Sequence, residues 1–155
     1  MKITEIFDLA IQLEEKMSEG YKAISQLCYD KAASEELMRL SKEETDHVNL
    51  LLTAKNYLAA APEAFNLESE RVAEMSLTLS KIVRLIDNIN EKKVGLEEAI
   101  NDAAELERFM EKFHLGRIAE IKDISLRRFF EALSIGDKIH GKRLIRVLNS
   151  ACPPS

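Results

Sequence analysis

The chain has 155 residues, enough for one domain with a single apolar core, and nothing in it suggests a second module. Five Gly, three Pro and no Trp, with abundant Leu, Ala, Glu and Lys, favour helix over strand, so the expected class is all-α. A net charge of −5 with scattered basic residues speaks against a nucleic-acid surface; Arg127 with Arg128, and Lys142 with Arg143 and Arg146, read as solvated helix faces.

Residues 3 to about 29 carry Ile3, Ile6, Phe7, Ala10, Leu13, Met17, Tyr21, Ile24 and Cys28, mostly three or four apart, the pattern of one amphipathic helix. A turn around Asp30 to Ala33 follows. Ser34 with Glu35 and Glu36 is a helix start, and the second helix is expected to run to about Leu58, with Pro62 as its stop. Residues 59–95 are too long for a simple turn and hold Val72, Met75, Leu79, Ile82, Ile86 and Ile89 at alternating spacings, which predicts a crossover helix. Gly95 breaks the chain before a third main helix, Leu96 to about Ile121. The last helix runs from Asp123 or Ser125 to Leu148, and residues 149–155 are expected to fray. The organisation is one domain, 1–155, with a helix pair at 3–58, a crossover and a second helix pair at 96–148.

Two short patterns interrupt these apolar stripes, Glu44-x-x-His47 and Asp137-x-x-His140, each with a carboxylate 30 residues upstream, Glu14 and Glu107. Every member of the second set stands 93 residues after its counterpart in the first. The same offset relates Ala10 to Ala103, Leu13 to Leu106, Leu40 to Leu133, Ser41 to Ser134 and Leu51 to Leu144, as a duplicated helix pair would. Acid and imidazole three apart share a helix face, so each pair can point at one ion. Burying them without partners would cost several kcal/mol. Depths also agree: Glu14 lies 15 residues, about 22 Å, from the expected end of its helix, and His47 lies 13 residues, about 20 Å, from Ser34. Four carboxylates and two imidazoles in one layer of four helices would suit two transition-metal ions.

All three histidines have a carboxylate three residues before them, and the third pair, Glu111 and His114, breaks the repeat, because its counterparts are Ser18 and Tyr21. His114 lies along one face with Glu107. It reads either as a polar core residue or as a group approaching the site, supporting a ligand or replacing one.

The stretches Leu9-Ala-Ile-Gln-Leu-Glu14-Glu-Lys-Met-Ser-Glu-Gly-Tyr21, Lys42-Glu-Glu44-Thr-Asp-His47, Ala103-Ala-Glu-Leu-Glu107-Arg and Gly136-Asp137-Lys-Ile-His140 together resemble the ferritin-like diiron-carboxylate superfamily, and within it the rubrerythrin branch. The resemblance covers nearly the whole chain and is closer in the first two stretches. It implies a ferritin-like antiparallel four-helix bundle whose long crossover carries an extra helix. It implies Glu14 and Glu107 as single-helix ligands, Glu44 and Asp137 as bridging carboxylates, and His47 and His140 as terminal ligands. Tyr21, two turns beyond Glu14, would hydrogen-bond a ligand carboxylate, or serve only as a core residue. The chain departs from the family at three points. Asp137 stands where Glu is usual, shortening that arm by one methylene. Met110 occupies the place of a further glutamate, for which only Glu111 could substitute. The rubredoxin-like cysteine segment is missing, so electrons would come from a separate protein such as a rubredoxin.

The expected cofactor is a pair of iron ions, with zinc or manganese as alternatives, and the expected activity is reduction of peroxide or dioxygen, oxidation of ferrous iron, or both. The competing reading is a non-catalytic metal-binding or structural helical bundle that has lost redox activity and assembles with a partner. The resemblance also implies a homodimer. No stretch is long enough to span a bilayer, the acidic N-terminus lacks a signal peptide's apolar run, and Cys28 and Cys152 form no disulfide framework, so the expected location is a reducing cytoplasm.

Overall fold

The computed structural model describes residues 3–61, 70–118 and 121–152. Five helices form their regular structure, with no β-strand among the described residues: α1 (Ile3–Ser25), α2 (Lys31–Ala60), α3 (Glu70–Asn90), α4 (Leu96–Ile118) and α5 (Ile124–Ala151). The all-α expectation holds. Pro62, the expected stop of the second helix, lies outside the described residues, as does the tail from Pro153, while residues 149–151, expected to fray, continue the last helix.

Helix ends follow local chemistry. Asp30, with extended backbone at φ −76° and ψ 122°, accepts the Ala33 N–H at 2.9 Å, so α2 begins at Lys31, a turn before the Ser34 start read from sequence. Asp123, at φ −77° and ψ 125°, accepts the Leu126 N–H at 3.0 Å and starts α5 in the same way. These two caps are themselves 93 residues apart, so the same offset extends to the helix starts. The first helix ends at Ser25 rather than near residue 29. There Gln26, Leu27 and Cys28 donate to carbonyls three residues back, which tightens and closes the last turn. After α3 the chain turns at Lys92, which adopts φ 58° while Lys93 N–H returns to Asn88 O at 2.8 Å. Gly95 has no positive φ and instead precedes α4, accepting the Ala99 N–H at 3.0 Å.

The longest contacts run between α1 and α2 and between α4 and α5. In addition α2 meets α5 and α1 meets α4, while α3 packs on α1 and α4. Among the described residues the backbones of α1 and α5, and of α2 and α4, stay apart, so side chains fill the space between them. The leucine pairs that obey the offset, Leu13 with Leu106, Leu40 with Leu133 and Leu51 with Leu144, are all buried there. Each contributes about 1.5–3 kcal/mol by leaving water. Beside them Ser18 Oγ donates to Ser41 O at 2.8 Å and Ser41 Oγ donates to Ser18 O at 2.9 Å, clasping α1 to α2 one turn beyond Glu14. From α3, Met75, Ile82 and Ile89 are buried, with Val72, Leu79 and Ile86 packed partly against the core, as the alternating spacing predicts.

Candidate metal centre

Glu14 on α1, Glu44 and His47 on α2, Glu107 on α4, and Asp137 and His140 on α5 are all buried, and they meet in one layer. The His47 and His140 rings stack with centroids 5.0 Å apart and planes at 17°. Glu44 lies between them. Its Oε2 is 2.9 Å from His47 Nδ1 and its Oε1 is 2.9 Å from His140 Nδ1, so each oxygen faces one imidazole. The same Nδ1 atoms also face the lone carboxylate of their own half, with Glu14 Oε2 3.5 Å from His47 Nδ1 and Glu107 Oε1 3.5 Å from His140 Nδ1. Matched distances follow from matched sequence offsets.

Asp137 and His114 break this symmetry. Asp137 turns Oδ1 towards His47 Nδ1 at 3.6 Å and Oδ2 to His114 Nδ1 at 2.6 Å. Its short arm does not span the two paired histidines as Glu44 does. His114 is fully buried, and its Nε2 lies 3.7 Å from Glu14 Oε1. Tyr21, its counterpart 93 residues earlier, donates its hydroxyl to Glu107 Oε1 and sets its ring edge against His140. Each of these two residues therefore reaches the lone carboxylate of the opposite half. Glu111 takes no part in the cluster; it is half-buried and lines an outer groove between α4 and α5, beside Arg108 and Lys142 and with Asp137 in the wall.

Four further residues, Glu43, Glu36, Arg143 and Gly136, shape the site though the sequence placed none of them there; Arg143, read as part of a solvated helix face, is half-buried. His140 Nε2 meets Glu43 Oε2 at 3.0 Å, and Arg143 Nη1 donates to the same oxygen at 2.6 Å while its Nε donates to Glu36 at 2.5 Å. That string fixes the outer nitrogen of His140 and leaves Nδ1 to the cluster. Gly136 lies under His47: a Cβ there would stand 2.7 Å from His47 Cε1 and nearer still to Nε2. A glycine inside a helix costs about 1 kcal/mol against alanine, so its presence is a readable sign of close approach.

Charge is tightly balanced in this layer. Burial opposes protonation of His47, yet Glu14 and Glu44 outweigh it and push the ring up to about 12. His140 is likewise raised to about 11, by Glu107 and Glu44 against its burial. Glu44 is held well above the usual carboxylate range by burial and by Glu107 and Glu14, and Asp137 by burial with the same two acids. Glu14 goes the other way, because His47 and His114 overcome its burial. Burial and Glu107 also keep the Tyr21 phenol well above its ordinary value.

Glu14 Oε1 and Asp137 Oδ1 are buried without a hydrogen-bond partner, and Glu44 Oε2, though 2.9 Å from His47 Nδ1, forms no aligned hydrogen bond with it. A buried carboxylate oxygen in that condition costs at least 1–3 kcal/mol by order of magnitude, about what a cation shared among the helices would relieve. Two groups have ligand atoms close enough for one ion each, Glu44 with His47 and His140, and Glu14 with His114 and Asp137. Carboxylate oxygen with imidazole nitrogen is the donor set of divalent first-row ions, so the residues fit a metal pair. Compared with known proteins, the chain matches no family model, no curated protein and no solved structure. Among the described residues no helix is long and apolar enough to cross a membrane.

Proposed function

We propose that the chain is a ferritin-like protein of the rubrerythrin branch, in which α1, α2, α4 and α5 form an antiparallel four-helix bundle and α3 lies on the crossover. The paired histidines, together with Glu14, Glu44 and Glu107, would hold two metal ions. The observation that carries this reading is Glu44, whose two oxygens each stand 2.9 Å from a different imidazole of a stacked pair. That is the disposition of a carboxylate shared by two ions. Glu14 with His47 would hold one ion, and Glu107 with His140 the other. Two ferrous ions bound there would supply the electrons that reduce peroxide or dioxygen. The chain supplies the rest. Tyr21 holds Glu107 in place, Glu43 orients His140, and the buried leucines around the layer keep water out. Electrons would arrive from a separate donor protein, and a homodimer is part of the same reading.

A second reading is favoured by Asp137, whose Oδ2 is engaged by His114 at 2.6 Å instead of completing a second bridge. On that reading the protein holds metal, zinc included, without redox turnover. One experiment separates the two. Protein expressed with iron is analysed for metal content and for peroxide-dependent oxidation of its ferrous form, beside a His140→Ala variant. Two metal equivalents with turnover support the first reading, with the count falling to one or none in the variant. Metal without turnover supports the second, and wild-type protein that holds no metal defeats both.

A further inference from the structure

The duplicated halves treat their lone carboxylates differently, and the difference is chemical. Tyr21 and His114 occupy equivalent positions, each seven residues after the lone carboxylate of its own helix and each directed at that of the other half. A phenol can only donate to a carboxylate. An imidazole that donates through one nitrogen keeps a lone pair on the other.

Distances around His114 separate two kinds of contact. The 2.6 Å between Nδ1 and Asp137 Oδ2 is a direct hydrogen bond, with no room for an ion. That contact occupies Nδ1 and leaves Nε2 as the nitrogen turned towards Glu14. The 3.7 Å between Nε2 and Glu14 Oε1 is too long for a hydrogen bond, as is the 3.5 Å between Glu14 Oε2 and His47 Nδ1. Ligand atoms about 2.1 Å from one ion stand about 3.4 Å apart at the tetrahedral angle. Both longer separations are close to that value. Glu14 Oε1 is, in addition, a buried oxygen without a hydrogen-bond partner, on a residue only 1% exposed.

We propose that His114 is a third imidazole ligand of the metal centre, binding through Nε2 beside Glu14 and His47, with Asp137 as the carboxylate that orients it. The proposal rests on the metal-binding reading above and deepens it. One ion is then held by two imidazoles and Glu14, the other by His140 with Glu44 and Glu107. The site is asymmetric although the fold around it is duplicated. The aspartate at 137 accounts for the difference: with one methylene fewer than glutamate, it stops at His114. A carboxylate that accepts the far N–H of a metal-bound imidazole is a common outer support, and its loss costs about 10–100-fold in metal affinity.

Zinc titration of the full-length chain labelled with 15N in its histidine rings tests this, because the chain has only three histidines. The expected result is three rings with a metal-bound nitrogen. One of them, assigned to His114 by its disappearance in His114→Gln, is bound through Nε2 with Nδ1 still protonated, and the other two are bound through Nδ1. Two metal-shifted rings with His114 unshifted would overturn the proposal and leave the metal centre standing. No shifted ring would overturn both. A second measurement uses cobalt(II) and His114→Tyr, which puts the residue of the equivalent position in place. The affinity for one of two ions should fall at least about 10-fold and its visible absorption should change. Two ions bound with unchanged affinity and spectrum would again overturn the role of His114.

Discussion

Glu43 holds His140 from outside the buried layer, its Oε2 3.0 Å from the ring nitrogen that faces away from the cluster. Burial would raise the Glu43 carboxyl, but Arg143 and His140 more than offset this and hold it below the usual range, so it stays an anion. Glu43→Gln should therefore loosen the ring's orientation without disturbing the helices. Zinc affinity is expected to fall about 10–100-fold with an unchanged helical circular dichroism signal. A variant that binds zinc within twofold of the wild type would show that His140 needs no such support.

Gly136 and Gly141 lie one turn and a residue apart on α5 and should respond to alanine with opposite signs. At 141 a Cβ meets nothing nearer than Glu107 Cβ at 3.8 Å, an ordinary contact. There the better helix former should stabilise by about 0.5–1 kcal/mol. At 136 the Cβ runs into the His47 ring at 2.7 Å and less, and either the ring or the backbone must move. Overpacking of that kind costs about 1–3 kcal/mol, which outweighs the propensity gain. Thermal melts of the two variants give the comparison, and a Gly136→Ala protein that melts at or above the wild type would refute the contact.

The helices α1, α2, α4 and α5 were legible because burial forces regular periodicity on leucines such as Leu13 and Leu40 and on their counterparts. The six clustered groups were legible because duplication wrote them twice. His114 was half legible. Its offset partner Tyr21 is a different residue type, so the pairing breaks if only identities are compared and holds if position and reach are compared. Asp30 and Asp123 carry the same offset, yet on sequence alone Asp30 falls in a turn and the helix start at Ser34. The extended backbone at Asp30 decided otherwise. Glu43 and Arg143 lay beyond reach, because an acid on α2 and a base on α5 have no spacing rule that joins them, and many such charges are only solvated.

The cap at Asp30 carries its own prediction. Its side chain satisfies the Ala33 N–H, one of the donors that the first turn of α2 leaves without a helical partner. Asp30→Ala should destabilise the protein by about 1 kcal/mol. Asp30→Asn should keep most of that, since an amide oxygen accepts the same hydrogen bond. Denaturant unfolding of both variants checks this, and equal loss in the two would mean that charge at the helix start matters more than the cap.

Stability of the metal-free chain should fall as pH rises, against the trend set by ordinary ion-paired carboxylates. His47 is raised to about 12 and His140 to about 11. A histidine raised in the folded state binds its proton more tightly there than in the unfolded chain. Its contribution is complete below about pH 6.5, the unfolded value, and drains away as pH climbs towards the folded one. Glu44 and Asp137, also raised, act in the same direction above the usual carboxylate range. Among the clustered carboxylates Glu14 is lowered, as are Glu36, Glu43 and Asp123 outside the layer, and their contributions are lost only as pH falls through those lowered values, below pH 6. A metal ion would take the place of those protons on the ring nitrogens, so its binding should strengthen as pH rises. Melting temperatures measured from pH 6 to 8.5 should therefore decline with a chelator present and hold or rise with zinc. A chelated protein that gains stability across that interval would mean that His47 and His140 are neutral in the folded chain.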